Sequence, residues 1–198
     1  MRKVIVNEFL SLDGVAQAPG GADEDPSGGF AHGGWHMRYM EDEVAMRSVL
    51  EGIVEAGGFL LGRRTYEIFA AYWPNAPDEE QVVAEPLNAK PKHVVSRTLT
   101  EPLEWQNSAL VKGGVPAGVT ALKEAGEGGE LHVIGSTELV KTLIEHDLVD
   151  ELRLMIDPVL LGGGKGIFRA DGLLRPLRLV DSEVTGTGAI LARYAPAT

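Results

Sequence analysis

Short apolar runs alternate along this chain with longer stretches whose apolar residues recur every three or four positions. Val4-Ile5-Val6 with Phe9-Leu10, Phe59-Leu60-Leu61, His93-Val94-Val95 and Leu131-His132-Val133-Ile134 have the length and continuity of strands buried on both faces. Between them Met40, Val44, Val49, Leu50, Ile53 and Val54 form a helical stripe from about His36 to Glu55, closed by Ala56-Gly57-Gly58. Tyr66, Phe69, Ala70 and Trp73 share one helix face before Pro74. Further helices are expected over about Pro116 to Ala125 and from Ser136 onward, where Leu139, Val140, Leu143 and Ile144 make the buried side. Asp78-Glu79-Glu80 suits a helix N-terminus, and Leu103 to Val111 reads as a short strand pair or a strand and turn. Leu152, Leu154 and Ile156 alternate with Arg153, Met155 and Asp157, as in a strand half-buried or at a sheet edge. Leu177 to Val184 and Ala189 to Tyr194 close the chain as an antiparallel hairpin around Gly186-Thr187-Gly188. Strands alternating with helices predict a single α/β domain over 1–198: three layers, a mostly parallel central sheet, helices on both faces and a C-terminal antiparallel hairpin.

In such sheets ligands bind beyond the carboxyl ends of the strands. Those ends carry Ser11-Leu12-Asp13-Gly14, Gly62-Arg63-Arg64-Thr65, Ser96-Arg97-Thr98 and Gly135-Ser136-Thr137. A helix start presents free N–H groups and the positive end of its dipole, so Arg63, Arg64 and Thr65 there form a phosphate clamp or, more plainly, a solvated turn. Gly135 permits close backbone approach, while Ser136 and Thr137 can cap the following helix. Residues 16–35, rich in Gly, Pro and Asp without periodicity, are long enough to suggest a functional loop. The glycine-rich Leu160 to Gly166 lacks the Walker spacing and reads as a pocket-lining loop or an ordinary turn. His32 and His36 stand four apart, but Gly33-Gly34 between them argues against a metal pair, and His132 and His146 read as structural.

Composition narrows the chemistry. With no cysteine among 198 residues, disulfides, thiolate metal sites and a cysteine nucleophile are excluded. A net charge of −11 argues against nucleic acid or an anionic membrane as partner and gives meaning to the few places where arginine clusters. No apolar run has the length of a membrane span and Met1-Arg2-Lys3 leads into a strand, so a cytoplasmic protein is expected.

Taken in order, Ser11-Leu12-Asp13-Gly14, Gly62 to Glu67 followed by Tyr72-Trp73-Pro74, Val95-Ser96-Arg97, Val133-Ile134-Gly135-Ser136, Leu148 to Leu152 and Pro158 to Phe168 resemble the dihydrofolate reductase-like superfamily. The likeness is strongest to its bacterial branch related to the reductase domain of the riboflavin-biosynthesis deaminase–reductase. The resemblance implies an oxidoreductase that binds NADPH: Gly62, Arg63, Arg64 and Thr65 meeting the dinucleotide phosphates, Ser96, Arg97 and Thr98 holding the adenosine end with its 2′-phosphate, and Gly135, Ser136 and Thr137 cradling the pyrophosphate. Hydride would pass from a nicotinamide near Asp13 and Gly14 to a small flat heterocycle, with Asp13 or a water it orients assisting the proton; the plainer reading of Asp13 is a turn or cap carboxylate. Dihydrofolate reductases carry a carboxylate on the first helix, where Met46 and Arg47 stand near the corresponding spacing here, and Glu41, Asp42 and Glu43 read as a solvated face. The ring is therefore left open among pterin, pyrimidine and flavin-like systems. Two alternatives stand beside this: a dinucleotide- or pterin-binding protein without turnover, and a deazaflavin-dependent reductase of the same fold. A homodimer is expected from the family, with the late hairpin as its contact.

Overall fold

The computed structural model describes residues 1–197. Eight strands form one sheet: β1 (Val4–Ser11), β2 (Gly58–Gly62), β3 (Lys92–Val95), β4 (Ser108–Leu110), β5 (Leu131–Ile134), β6 (Glu151–Asp157), β7 (Leu177–Val184) and β8 (Ile190–Pro196). Their spatial order is β4-β3-β2-β5-β1-β6-β8-β7. The first six in that order run parallel, and β8 and β7 are added antiparallel to β6 and to each other. Five helices connect them: α1 (Glu43–Glu55), α2 (Arg63–Tyr72), α3 (Gln81–Ala89), α4 (Val115–Glu124) and α5 (Thr137–Glu145).

The apolar runs become the strands because both faces are covered. On one face Val4, Val6, Leu10, Leu60, Leu131 and Val133 pack against Val119 of α4 and Leu139, Val140 and Leu143 of α5. On the other, Phe59, Leu61 and Val94 pack with Ile53, Tyr66, Leu87 and Trp105. Fully burying one such aliphatic or aromatic side chain contributes about 1.5–3 kcal/mol, so these two clusters hold the layers together.

Several details sharpen or correct the expectations above. The helix expected from His36 begins at Glu43, because Asp42 sits in extended geometry and its carboxylate accepts from Val44 and Ala45 N–H; residues 37–39 form only a tight 3-10 turn. Asp42 also accepts from Gly186 N–H at 2.7 Å, tying α1 to the β7–β8 turn, so it is more than a solvated face residue. Of the two readings of residues 103–111 the strand and turn is the one formed, with β4 paired parallel to β3. The β6 strand is interior rather than an edge, since β8 returns to cover its outer side, and β7 is the edge. Buried Lys92, a residue the strand pattern passes over, caps the C-terminus of α3: Nζ donates to Leu87 and Asn88 carbonyls at 3.0 Å each and lies 4.2 Å from the centre of the Trp105 ring.

Candidate active site

The carboxyl ends of β1, β2, β3 and β5 open on a single cleft of about 2550 Å³. It exists because the sheet divides. The β1–β5 ladder ends at the pair Asn7↔Ile134, whereas β1 stays paired with β6 as far as Ser11↔Asp157. Past Ile134 the chain turns away through Gly135 and Ser136, both with positive φ (56° and 65°). From Glu8 onward, one edge of β1 therefore faces the cleft instead of a strand. Strand β1 lies where successive connections reverse direction, the position at which open α/β sheets form ligand crevices.

Ten of the residues singled out from sequence line this cleft together: Gly62, Arg63, Arg64, Thr65, Ser96, Arg97, Thr98, Gly135, Ser136 and Thr137. A hydroxyl network fixes two of the tips. The Gly62 N–H donates to Ser136 Oγ at 2.9 Å, and Ser136 Oγ donates to Thr65 Oγ1 at 3.0 Å. Ser136 is thereby occupied across the β2–β5 gap and does not cap α5; α2 likewise begins without a side-chain cap. Two helix N-termini without side-chain caps thus line one space, and a helix N-terminus favours an anion. At the third tip Ser96 Oγ accepts from Thr98 N–H (3.1 Å) and Leu99 N–H (2.9 Å), pinning the turn that carries Arg97.

The charges are unevenly committed. Arg63 pairs with Glu67 at 2.9 Å and Arg64 with Asp25 at 3.4 Å. Of the other lining arginines, Arg47 pairs with Glu183, Arg153 with Glu151 and Glu55, and Arg193 with Glu151. Lys165 pairs with Asp25 at 2.5 Å and donates to Ser27 Oγ at 2.6 Å. Among the described residues, Arg97 is the cleft arginine without a carboxylate in reach. A doubly charged phosphate arriving at this tip would meet a guanidinium with its donors free.

Asp13 and Gly14 are not among the lining residues. The Asp13 carboxylate accepts from Ser11 Oγ (2.6 Å), Leu161 N–H (3.2 Å) and Gly162 N–H (2.8 Å), and these bonds, that of Ser11 first, hold its pKa down at about 2. Gly14 makes the turn that lets this happen, with φ 81° and its N–H on the Ser11 carbonyl. The structure gives Asp13 the work of holding the glycine-rich 160–166 loop. Asp13→Ala is expected to leave dinucleotide binding within about twofold and to speed limited proteolysis between Leu160 and Lys165. Undiminished protease resistance would contradict this role.

The long 16–35 segment is a strap over the cleft. Gln17 Nε2 donates to the carbonyls of Asp25 (2.8 Å) and Ser27 (2.9 Å), its Oε1 accepts from Lys165 N–H, and Trp35 Nε1 donates to the Gln17 carbonyl. Three lining residues have roles that the sequence reading did not assign. Glu8, on β1, is buried. His36 is buried as well, with Nδ1 2.7 Å from Asp157 Oδ2 and its ring stacked on Phe9 at 3.7 Å. Asp25 bridges Lys165 and Arg64. No sequence signal marks the His36–Asp157 pair, whose members lie 121 positions apart. Among the described residues no cluster of three His, Asp or Glu side chains is built to hold a metal ion, and no helix is long and apolar enough to cross a membrane.

Comparison with known proteins agrees with this geometry. The model of the RibD C-terminal domain family matches residues 2–191. The uncharacterized protein YyaP of Bacillus subtilis (strain 168) is 27% identical over 196 residues, which cover 98% of this chain and 94% of that protein. A putative riboflavin biosynthesis protein from Shewanella sp. PV-4 superposes with a TM-score of 0.68 at 23% identity, covering 99% of each chain. A pyrimidine reductase-like protein from Corynebacterium diphtheriae gives 0.66 at 14% identity, covering all of this chain and 92% of that one. RibD from Acinetobacter baumannii gives 0.65 at 18% identity, and there this chain spans 58% of the longer protein. At these identities the structural likeness establishes the fold.

Proposed function

The chain belongs to the RibD C-terminal domain family, and from that premise we propose that it is an NADPH-dependent reductase acting on a small flat heterocycle. The observation that carries the reading is the convergence of three strand tips on one cleft, with two uncapped helix N-termini and an uncommitted arginine among them. The residues fit the cofactor's charge distribution. Gly62, Arg63, Arg64 and Thr65 at the start of α2, and Gly135, Ser136 and Thr137 at the start of α5, would hold the pyrophosphate. Arg97, set by the Ser96 turn, would take the 2′-phosphate. Bound there, the cofactor would supply the hydride. The protein's own residues would position it, shape the ring site at the β1–β5 opening, and exclude water beneath the 16–35 strap. The family and its named reductase-like neighbours support the reductase class, with a pyrimidine-like ring as the substrate they suggest.

The test is a titration followed by Trp73 fluorescence, since Trp73 lines the cleft. NADPH is expected to quench it at lower concentration than NADH. Loss of reduced-nicotinamide absorbance on adding pyrimidine, pterin or flavin-like acceptors then separates a reductase from a protein that only binds the dinucleotide. Absence of any NADPH binding would reject the proposal and favour a deazaflavin or another ligand.

We further propose a homodimer through β7. Every residue of this edge strand is exposed, including Leu177, Leu179, Val180 and Val184, and an uncovered apolar edge invites strand or face pairing. Sedimentation is expected to give twice the chain mass, and Leu179→Glu to give the single-chain mass. A wild-type monomer at micromolar concentration would reject the dimer.

A further inference from the structure

Glu8 stands where the sheet parts, at the first position of β1 beyond its ladder with β5. Its side chain is buried and lines the cleft, and its Oε1 has no hydrogen-bond partner. Leu154 of β6 is beside it in register, which offers no polar atom from its side chain. The charged group acting on it is Glu24 of the strap, whose own carboxylate is held by Gly20 and Gly21 N–H. Lys165, which reaches the strap from the 160–166 loop, is committed to Asp25 and Ser27 and gives Glu8 no cation. Burial first, and the Glu24 charge second, push the Glu8 carboxyl up to about 8, so it is protonated at neutral pH. An unpartnered buried carboxyl is a costly feature that packing alone does not explain. In its neutral form it offers an O–H donor beside a carbonyl acceptor, a pair that matches a planar amide edge.

We propose that Glu8 is the ring-reading residue of the cleft: protonated, it holds the amide edge of a neutral flat ring, a carbonyl beside an N–H, bound where β1 and β5 separate. Two ring systems bring such an edge, the carboxamide of the nicotinamide and the lactam of a pyrimidine- or pterin-type substrate. The first of these rests on the cofactor reading above; the second does not.

Calorimetric titration separates them. Wild type, Glu8→Gln and Glu8→Leu are titrated with NADPH and, separately, with 7,8-dihydropterin as a lactam probe, from about pH 6 to about pH 9. Glutamine presents a donor and an acceptor at every pH. For the ring that Glu8 reads, wild-type affinity is expected to fall about tenfold as the carboxyl ionises, Glu8→Gln to show no such fall, and Glu8→Leu to be weakened about tenfold throughout. The pattern with NADPH assigns the edge to the cofactor; the pattern with dihydropterin assigns it to the substrate. Should wild type bind dihydropterin with the pattern but bind no NADPH, the cofactor reading falls and the Glu8 assignment stands. If neither probe shows the pattern, whether it binds or not, the assignment is overturned. Should Glu8→Leu fail to fold, the comparison of wild type with Glu8→Gln across pH still decides.

Discussion

Glu8→Leu is expected to be more stable than the wild-type protein, by on the order of 3 kcal/mol at pH 7, and the gain is expected to depend on pH. The carboxyl is pushed from 4.5 to about 8 in the folded state. Between those values the unfolded chain has released the proton and the folded protein retains it, so the unfolded state binds fewer protons and stability falls as pH rises. Below about 4.5 the acid is neutral in both states and this cost vanishes; above about 8 it is ionised in both and the cost is constant. Leucine has no proton to lose and is close in volume. His132, pushed down to about 4 by burial and the nearby cations, acts in the opposite sense: its contribution is lost as pH falls from 6.5 toward 4. The wild-type curve alone therefore mixes the two, and the difference between wild type and Glu8→Leu isolates Glu8. Urea midpoints of both proteins at about pH 5 and pH 8 make the measurement. Equal differences at the two pH values would show that Glu8 titrates as an ordinary carboxylate. A stabilised variant that also loses its ring ligand would show stability given up for a binding group.

The rim of this site was legible because its signals are local. An apolar run that ends in glycine and a hydroxyl before a helical stripe reveals a strand tip at a helix start, and Gly62–Thr65 and Gly135–Thr137 both took that form and fell in one cleft. The floor was not legible. Within Val6-Asn7-Glu8-Phe9 nothing marks an acid that lines a cleft, because the cleft beside it opens where β5 leaves the sheet at Gly135, more than a hundred positions later. His36 looked like half of a weak histidine pair, and only the arrival of β6 supplies Asp157. The β6 alternation left a half-buried and an edge strand open for the same reason: β8, which covers it, comes last in the chain. Asp13 shows the converse case. The residue lay in the right motif, but its role depends on the 160–166 loop folding back to give it two N–H donors. Sequence pattern located the strand tips that line the cleft; the buried groups of its floor are set by contacts remote in the chain.

The second large effect is expected at Arg97. Arg97→Ala should weaken NADPH binding at low salt by roughly tenfold to a hundredfold, the loss of one charge-assisted contact of about 1.5–3 kcal/mol, and leave NADH binding within about twofold. The other arginines do not compensate, because Arg63 and Arg64 already have carboxylate partners, Glu67 and Asp25. Arg97 is exposed, so the contact is screened, and the wild-type advantage of NADPH over NADH should shrink as ionic strength rises past about 0.15 M, where the Debye length is about 8 Å. Arg97→Lys separates charge from shape: a lysine keeps the charge and loses the planar fork, so it should recover only part of the loss. The protein's −11 net charge sharpens the argument, since its general field repels a dinucleotide and the attraction must come from this rim. An NADPH affinity unchanged in Arg97→Ala would remove the 2′-phosphate from the β3 tip. The two uncapped helix starts would then remain the anion site, and they would favour NADH as readily as NADPH.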